Sequence, residues 1–229
     1  MAGSEGGPVR ASLTAAFPRR SRLSILVCVN TTPPDTSRIA IILASVRDGR
    51  AGPAFARWVG EQAAMYGFDV DVIDLAAFEL PLALPAASPK GAGDAYPRPE
   101  AMRDLTARLD AADGFVIVTP EYNHSYPASL KAAIDWHFTQ WQAKPVAFTS
   151  YGGWAGGRHA VLHLENVFTE LHAVTIQAGL LFPLYWEHLD EAGQPDDPDA
   201  PVAAKAMFDQ LAWWAGALRA ARAAVPYPG

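Results

Sequence analysis

From Arg38 onward, short apolar runs rich in β-branched residues alternate with segments of helical period, and that alternation leaves few folds open. Ile39-Ala40-Ile41-Ile42-Leu43-Ala44 and Gly114-Phe115-Val116-Ile117-Val118 are continuously apolar, as is most of Lys144-Pro145-Val146-Ala147-Phe148-Thr149-Ser150. A strand that is apolar on both faces has to be covered on both, which is the condition of a parallel sheet between two helical layers. Asp69-Val70-Asp71-Val72-Ile73-Asp74-Leu75 alternates instead and reads as an outer strand, and Ala173-Val174-Thr175-Ile176 as a short fifth one.

The intervening segments carry apolar stripes: Phe55, Val59, Ala63 and Tyr66; Met102, Leu105, Leu109 and Ala112; Leu130, Ile134, His137 and Trp141. Leu164, Val167, Phe168 and Leu171 form another, and Met207, Leu211, Trp214, Ala215 and Leu218 the last. Each predicts an amphipathic helix, and Gly67 predicts a left-handed cap on the first. Residues 81–99, rich in Pro, Ala and Gly, predict a long loop that is functional or mobile. Residues 1–37 have no continuous periodicity and predict a disordered extension dispensable for folding, leaving residues 38–229 as one domain. Within them Arg19-Arg20 precedes a short apolar run, but no small-residue cleavage site follows.

Composition removes several function classes. Half of the 229 residues are hydrophobic and 18% are charged, which suits a packed domain. A net charge of -6 argues against nucleic acid, whose phosphates need a basic surface. The longest uncharged apolar run is far shorter than the roughly 20 residues that span a bilayer. Cys28 is the only cysteine, which fits a reducing, cytoplasmic setting. The Asn30-Thr31-Thr32 sequon carries little weight without a signal peptide.

In an open α/β sheet, ligands bind outside the carboxyl ends of the strands, where the chain order reverses. Three turns occupy that edge. Ser45-Val46-Arg47-Asp48-Gly49-Arg50-Ala51-Gly52 opens a helix, and Ser45, Arg47, Arg50 and the backbone around Gly52 suit a phosphate. Pro120-Glu121-Tyr122-Asn123 follows the third strand and leads to a helix expected to open at Ser125, with Pro127 in its first turn. Ser150-Tyr151-Gly152-Gly153 follows the fourth and begins a glycine-rich turn. Neither a Gly-x-x-x-x-Gly-Lys-Ser/Thr loop nor a Gly-x-Gly-x-x-Gly fingerprint occurs, so nucleotide hydrolysis and a buried dinucleotide are unsupported.

The segment Thr119-Pro120-Glu121-Tyr122-Asn123-His124-Ser125-Tyr126-Pro127-Ala128-Ser129-Leu130-Lys131-Ala132-Ala133-Ile134-Asp135-Trp136 resembles the signature of the NADPH-dependent FMN reductases, the flavodoxin-like quinone, chromate and azo-dye reductases. Residues 45–52 resemble that family's Gly-Ser-x-Arg-x-Gly loop, with Ala44 in place of the usual Gly, and residues 150–153 resemble its second ring-binding turn. The five strands fit the flavodoxin-like order 2-1-3-4-5 in a three-layer α/β/α fold.

The resemblance implies FMN as cofactor and NAD(P)H as co-substrate. FMN's phosphate would lie at Ser45, Arg47, Arg50 and Gly52. Its ring would lie against Pro120, Glu121, Tyr122 and Asn123 and against Ser150, Tyr151, Gly152 and Gly153. Electrons would pass to a small acceptor: a quinone, azo or nitro compound, metal oxyanion or flavin. Glu121 reads first as a cap for backbone donors of the turn or of a partner subunit, and second as a general acid or base. No catalytic side chain and no metal are expected, since His159 and His163 stand four apart without a third ligand. A flavodoxin-like electron carrier and a flavin-free binding protein are the alternatives. Tyr126, His137, Trp141 and Trp154 near these turns predict a homodimer or a pair of dimers, with these rings at the contact.

Overall fold

The computed structural model describes residues 36–228. The expectations for residues 1–35, including the twin arginine and the Asn30 sequon, lie outside the described residues. Ser37, assigned to the extension, belongs to the fold: it is buried and its carbonyl accepts the Asp69 N–H at 3.1 Å.

The strands are β1 (Arg38–Leu43), β2 (Asp69–Asp74), β3 (Gly114–Pro120), β4 (Pro145–Tyr151), β5 (Val174–Thr175) and β6 (Leu180–Phe182). All pair in parallel, in the order β2-β1-β3-β4-β5. The expected five-strand path is therefore present, with a sixth strand added. β5 pairs the beginning of β4, and β6 pairs its end, Thr149 to Tyr151. Gly179 permits the second approach, because a Cβ there would lie 2.8 Å from the Phe148 carbonyl oxygen.

The helices are α1 (Gly52–Tyr66), α2 (Pro89–Ala92), α3 (Arg103–Ala111), α4 (Ala128–Asp135), α5 (Arg158–Glu170) and α6 (Ala200–Ala224). α1 and α6 cover one face of the sheet, where Phe55, Val59, Met207 and Leu211 meet Ile39, Ile41, Val116 and Val118. α3, α4 and α5 cover the other, where Leu105, Leu130, Ile134 and Phe168 meet Ile42, Phe115, Ile117 and Phe148. Neighbouring residues of β1 and β3 thus supply opposite cores, as two-sided burial requires. Gly67 ends α1 at φ 109°, the left-handed conformation a glycine adopts at little cost. Among the described residues no helix is long and apolar enough to cross a membrane.

Three local expectations change. The helix after β3 does not open at Ser125, because Ser125 instead closes a tight hairpin with Tyr122, and α4 starts after Pro127. That helix stops at Asp135, so His137 and Trp141 lie in the turns that follow, fully buried within their own chain. Residues 81–99 include α2 and are anchored: Trp136 Nε1 donates to the Pro81 carbonyl at 2.7 Å, and Tyr96 packs on Trp136.

Candidate functional site

Parallel registers bring the three turns together. Leu43 of β1 stands beside Val118 of β3, and Thr119 and Pro120 stand beside Ser150 and Tyr151 of β4. The chain segments leaving these strand ends enclose a cleft of about 300 Å³, at the lower end of small-molecule sites. Ser45, Arg47, Arg50, Pro120, Glu121, Tyr122, Tyr151, Gly152 and Gly153 line it. Gly52, Asn123 and Ser150 are not on its wall.

Gly52 is the first residue of α1, and a Cβ there would lie 2.4 Å from Leu43 Cδ1 and 2.8 Å from the Tyr151 hydroxyl. Only glycine lets the helix start so close to β1 and β4. α1 begins without a side-chain cap, so its N-terminal dipole faces the cleft uncompensated. Phe55, one turn into α1, stacks on Tyr151 at 4.8 Å and 13° and fixes that ring. Tyr151 is 3% exposed, and its hydroxyl has no hydrogen-bond partner among the described residues. Burial, then the neighbouring Tyr122 and Tyr185, push its pKa well up against the smaller opposing effects of Arg50 and the nearby Ser45 hydroxyl, so it stays a proton donor. A buried donor at an uncapped helix start has the chemistry to hold an anion.

Ser45 Oγ and the Tyr122 hydroxyl lie 2.8 Å apart, joining the first two turns. Ala44, the departure from the glycine of the resembling loop, is accommodated: it is buried, lacks a positive φ, and hydrogen-bonds Val118 and Ser129. Arg50 lines the cleft with its guanidinium already engaged. Its guanidinium grips Asp74 in a two-pronged pair at 2.7 and 2.6 Å and also donates to the Ser45 carbonyl. The β1–β2 register sets Asp74 beside Leu43, within reach of that arginine. The hydrogen bond to Asp74 raises the Arg50 pKa. Burial pushes the Asp74 carboxyl up, but hydrogen bonds from Arg50 and the Ala76 N–H outweigh it and hold it low. Arg47 is exposed on the rim and has no ion pair among the described residues.

In the second turn, Tyr122 and Ser125 exchange backbone hydrogen bonds at 2.7 and 3.0 Å, with φ 51° at Asn123 and 62° at His124. This is a two-residue hairpin with both central residues left-handed, a conformation Asn tolerates well and His less so. Glu121 caps the start of α5 rather than its own turn. One carboxylate oxygen accepts the His159 backbone N–H at 3.1 Å in the first turn of α5, and the other accepts His159 Nδ1 at 3.0 Å. Glu121→Gln is expected to lower stability by about 1 kcal/mol through loss of charge at that helix start. Thermal denaturation checks it, and an unchanged Tm would contradict the capping role.

In the third turn, Ser150 Oγ donates to the Gly156 carbonyl at 2.8 Å. Gly157 sits at φ 92°, where a Cβ would lie 2.5 Å from Ser150 Cβ. Sequence reasoning missed Tyr185, which lines the cleft edge-on to Tyr151 at 5.4 Å. Its N–H and that of Leu184 donate to the Gly152 and Gly153 carbonyls, pinning the glycine turn. Its only sequence signal was an aromatic residue after an irregular stretch.

The family model for NADPH-dependent FMN reductases matches residues 37–187. An NAD(P)H-dependent FMN reductase of Schizosaccharomyces pombe is 39% identical over 123 residues, 53% of this chain and 61% of that protein. A probable NADPH:quinone oxidoreductase of Oryza sativa subsp. japonica is 30% identical over 151 residues, 63% of this chain and 71% of that protein. Among solved structures, the flavoenzyme NAD(P)H:(acceptor) oxidoreductase FerB from Paracoccus denitrificans superposes with a TM-score of 0.59 at 22% identity. It covers 79% of this chain and 98% of that one, a likeness of fold.

Proposed function

The chain belongs to the NADPH-dependent FMN reductase family, and from that premise we propose that it is an FMN-dependent NAD(P)H oxidoreductase acting on a small electron acceptor. The observation that carries this reading is the buried, unpartnered Tyr151 hydroxyl at the uncapped start of α1, inside a cleft walled by the three flavin-type turns. Those groups fit a phosphate next to a planar ring.

Ser45, Tyr151 and the N-terminus of α1 would hold the phosphate, with Arg47 as its charged partner. Arg50 shapes the loop through Asp74 and contributes field rather than contact. Residues 120–123 and 150–153 would hold the ring, with glycine at 152 and 153 leaving backbone open to it. Bound FMN supplies the hydride chemistry, while the chain binds, orients and shields it. No side-chain nucleophile is needed, so no catalytic residue is assigned. The acceptor is a quinone, azo or nitro compound, metal oxyanion or free flavin, and the setting is cytoplasmic.

Two measurements test the reading. The purified protein should show flavin absorbance, which a flavin-free binding protein would lack. It should also oxidise NADPH with a quinone and no added protein, which a pure electron carrier would not do. Arg47→Ala is expected to lose about 1.5–3 kcal/mol of FMN affinity, the worth of a charge-assisted hydrogen bond. Unchanged flavin retention on gel filtration would remove Arg47 from the site.

We also propose a homodimer or a pair of dimers. Trp154, 88% exposed beside the glycine turn, and Tyr126 are the rings available for that contact, whereas His137 and Trp141 are not. A flavin-loaded active species at the monomer mass of 24.6 kDa in sedimentation would refute association.

A further inference from the structure

The hairpin after β3 places His124 over the first turn of α5, and its ring stacks on that of His159 at 4.2 Å with 5° between planes. Glu121 completes the group: one potential ligand atom from each of the three residues lies within 4.8 Å of the others. Local spacing pairs His159 with His163, but His163 engages Ser125 Oγ at 3.1 Å instead. We propose that His124 and His159 bind a divalent transition-metal ion, with Glu121 orienting His159 from behind, so that the metal clips the hairpin to α5 at the mouth of the cleft.

The hydrogen-bond pattern favours this chemistry. In a neutral His159, Nδ1–H donating to Glu121 leaves the Nε2 lone pair outward, the carboxylate–histidine arrangement that prepares an imidazole for a metal. The same carboxylate is tied to the His159 backbone, so the ring is held from two sides. His124 is held by the hairpin, whose two backbone bonds fix its main chain. Ligands at about 2.1 Å in a tetrahedral shell stand about 3.4 Å apart. In the stack the two in-plane lone pairs run parallel, so a two-imidazole site forms when the exposed His124 ring rotates out of the stack and turns its lone pair toward that of His159, the remaining positions being taken by water. Imidazole ligands select Zn²⁺, Ni²⁺ or Cu²⁺ over Mg²⁺ or Ca²⁺.

Zn²⁺ titration of the untagged full chain, after dialysis against a chelator and in competition with a chromogenic zinc indicator, tests the site. Binding in the micromolar range is expected, together with a rise in Tm at saturating Zn²⁺. His124→Asn is the informative variant, because Asn tolerates the left-handed backbone at this position and the hairpin should persist. It and His159→Asn should each weaken the binding by at least about tenfold and abolish the Tm rise, while His172→Asn should change neither. Absence of micromolar binding in the natural chain, or equal binding and Tm rise in His124→Asn, would overturn the proposal.

Discussion

Acidification from pH 7 to pH 4 is expected to remove about 3 kcal/mol of folding stability through His137 alone. This residue is fully buried, with Nδ1 2.8 Å from the Ala133 carbonyl and Nε2 2.9 Å from Thr106 Oγ1. Burial lowers its pKa to about 4; the Ala133 bond opposes that shift and the Arg98 charge adds to it. An unfolded chain takes up the proton near pH 6.5, the ordinary value, whereas the folded chain does so only near pH 4. The unfolded state therefore holds more protons between those values, and stability falls as the pH drops through them. At about 1.4 kcal/mol per pH unit the loss is about 3 kcal/mol, complete near pH 4 and absent above about 7. Urea unfolding at pH 7 and pH 4.5 reads the slope. His137→Asn should flatten it, even though the variant starts less stable; parallel slopes for the two proteins would assign the acid loss elsewhere. Asp74 titrates below this window, because its carboxyl is already held low, so it does not mimic the effect.

How far such features can be read from sequence depends on whether their causes are local. β1, β3 and β4 were legible because a strand buried on both faces must be apolar at every position. The cap at Gly67 was legible for the same reason: one residue and its φ decide it. The split at the edge of the sheet was not, since Leu180–Phe182 is too short to show a period and joins β4 only because Gly179 has no side chain. Three site contacts escaped because their partners are distant in sequence. Arg50 finds Asp74 through the β1–β2 register, and Glu121 caps a helix that begins at Arg158. His124 finds His159 because the turn after β3 closes as a hairpin before α4 starts. In each case the residue types were visible and the pairing was not, because sheet order, rather than spacing along the chain, brings the partners together.

Trp141 shows the same lesson with the larger consequence. Proximity in sequence to the flavin-type turns made it a candidate interface ring, yet it is 0% exposed. Its ring packs 4.7 Å from Phe115 of β3 and 5.4 Å from Phe168 of α5. It is thus a wedge between the sheet and the α5 layer. Trp141→Ala should cost about 3–5 kcal/mol, the range for emptying a large aromatic site whose walls belong to a strand and a helix that cannot collapse inward. Trp141→Phe should be far milder, for a specific reason. The indole N–H is buried with no hydrogen-bond partner among the described residues, a burden of about 1–3 kcal/mol. Phenylalanine removes that donor while keeping most of the ring contact with Phe115 and Phe168, so the loss should stay below about 1.5 kcal/mol. Denaturant midpoints of the two variants measure the contrast. Sedimentation of Trp141→Phe then separates core from interface: a core wedge leaves association unchanged, and a variant that keeps its stability but loses its partner would return Trp141 to the subunit contact.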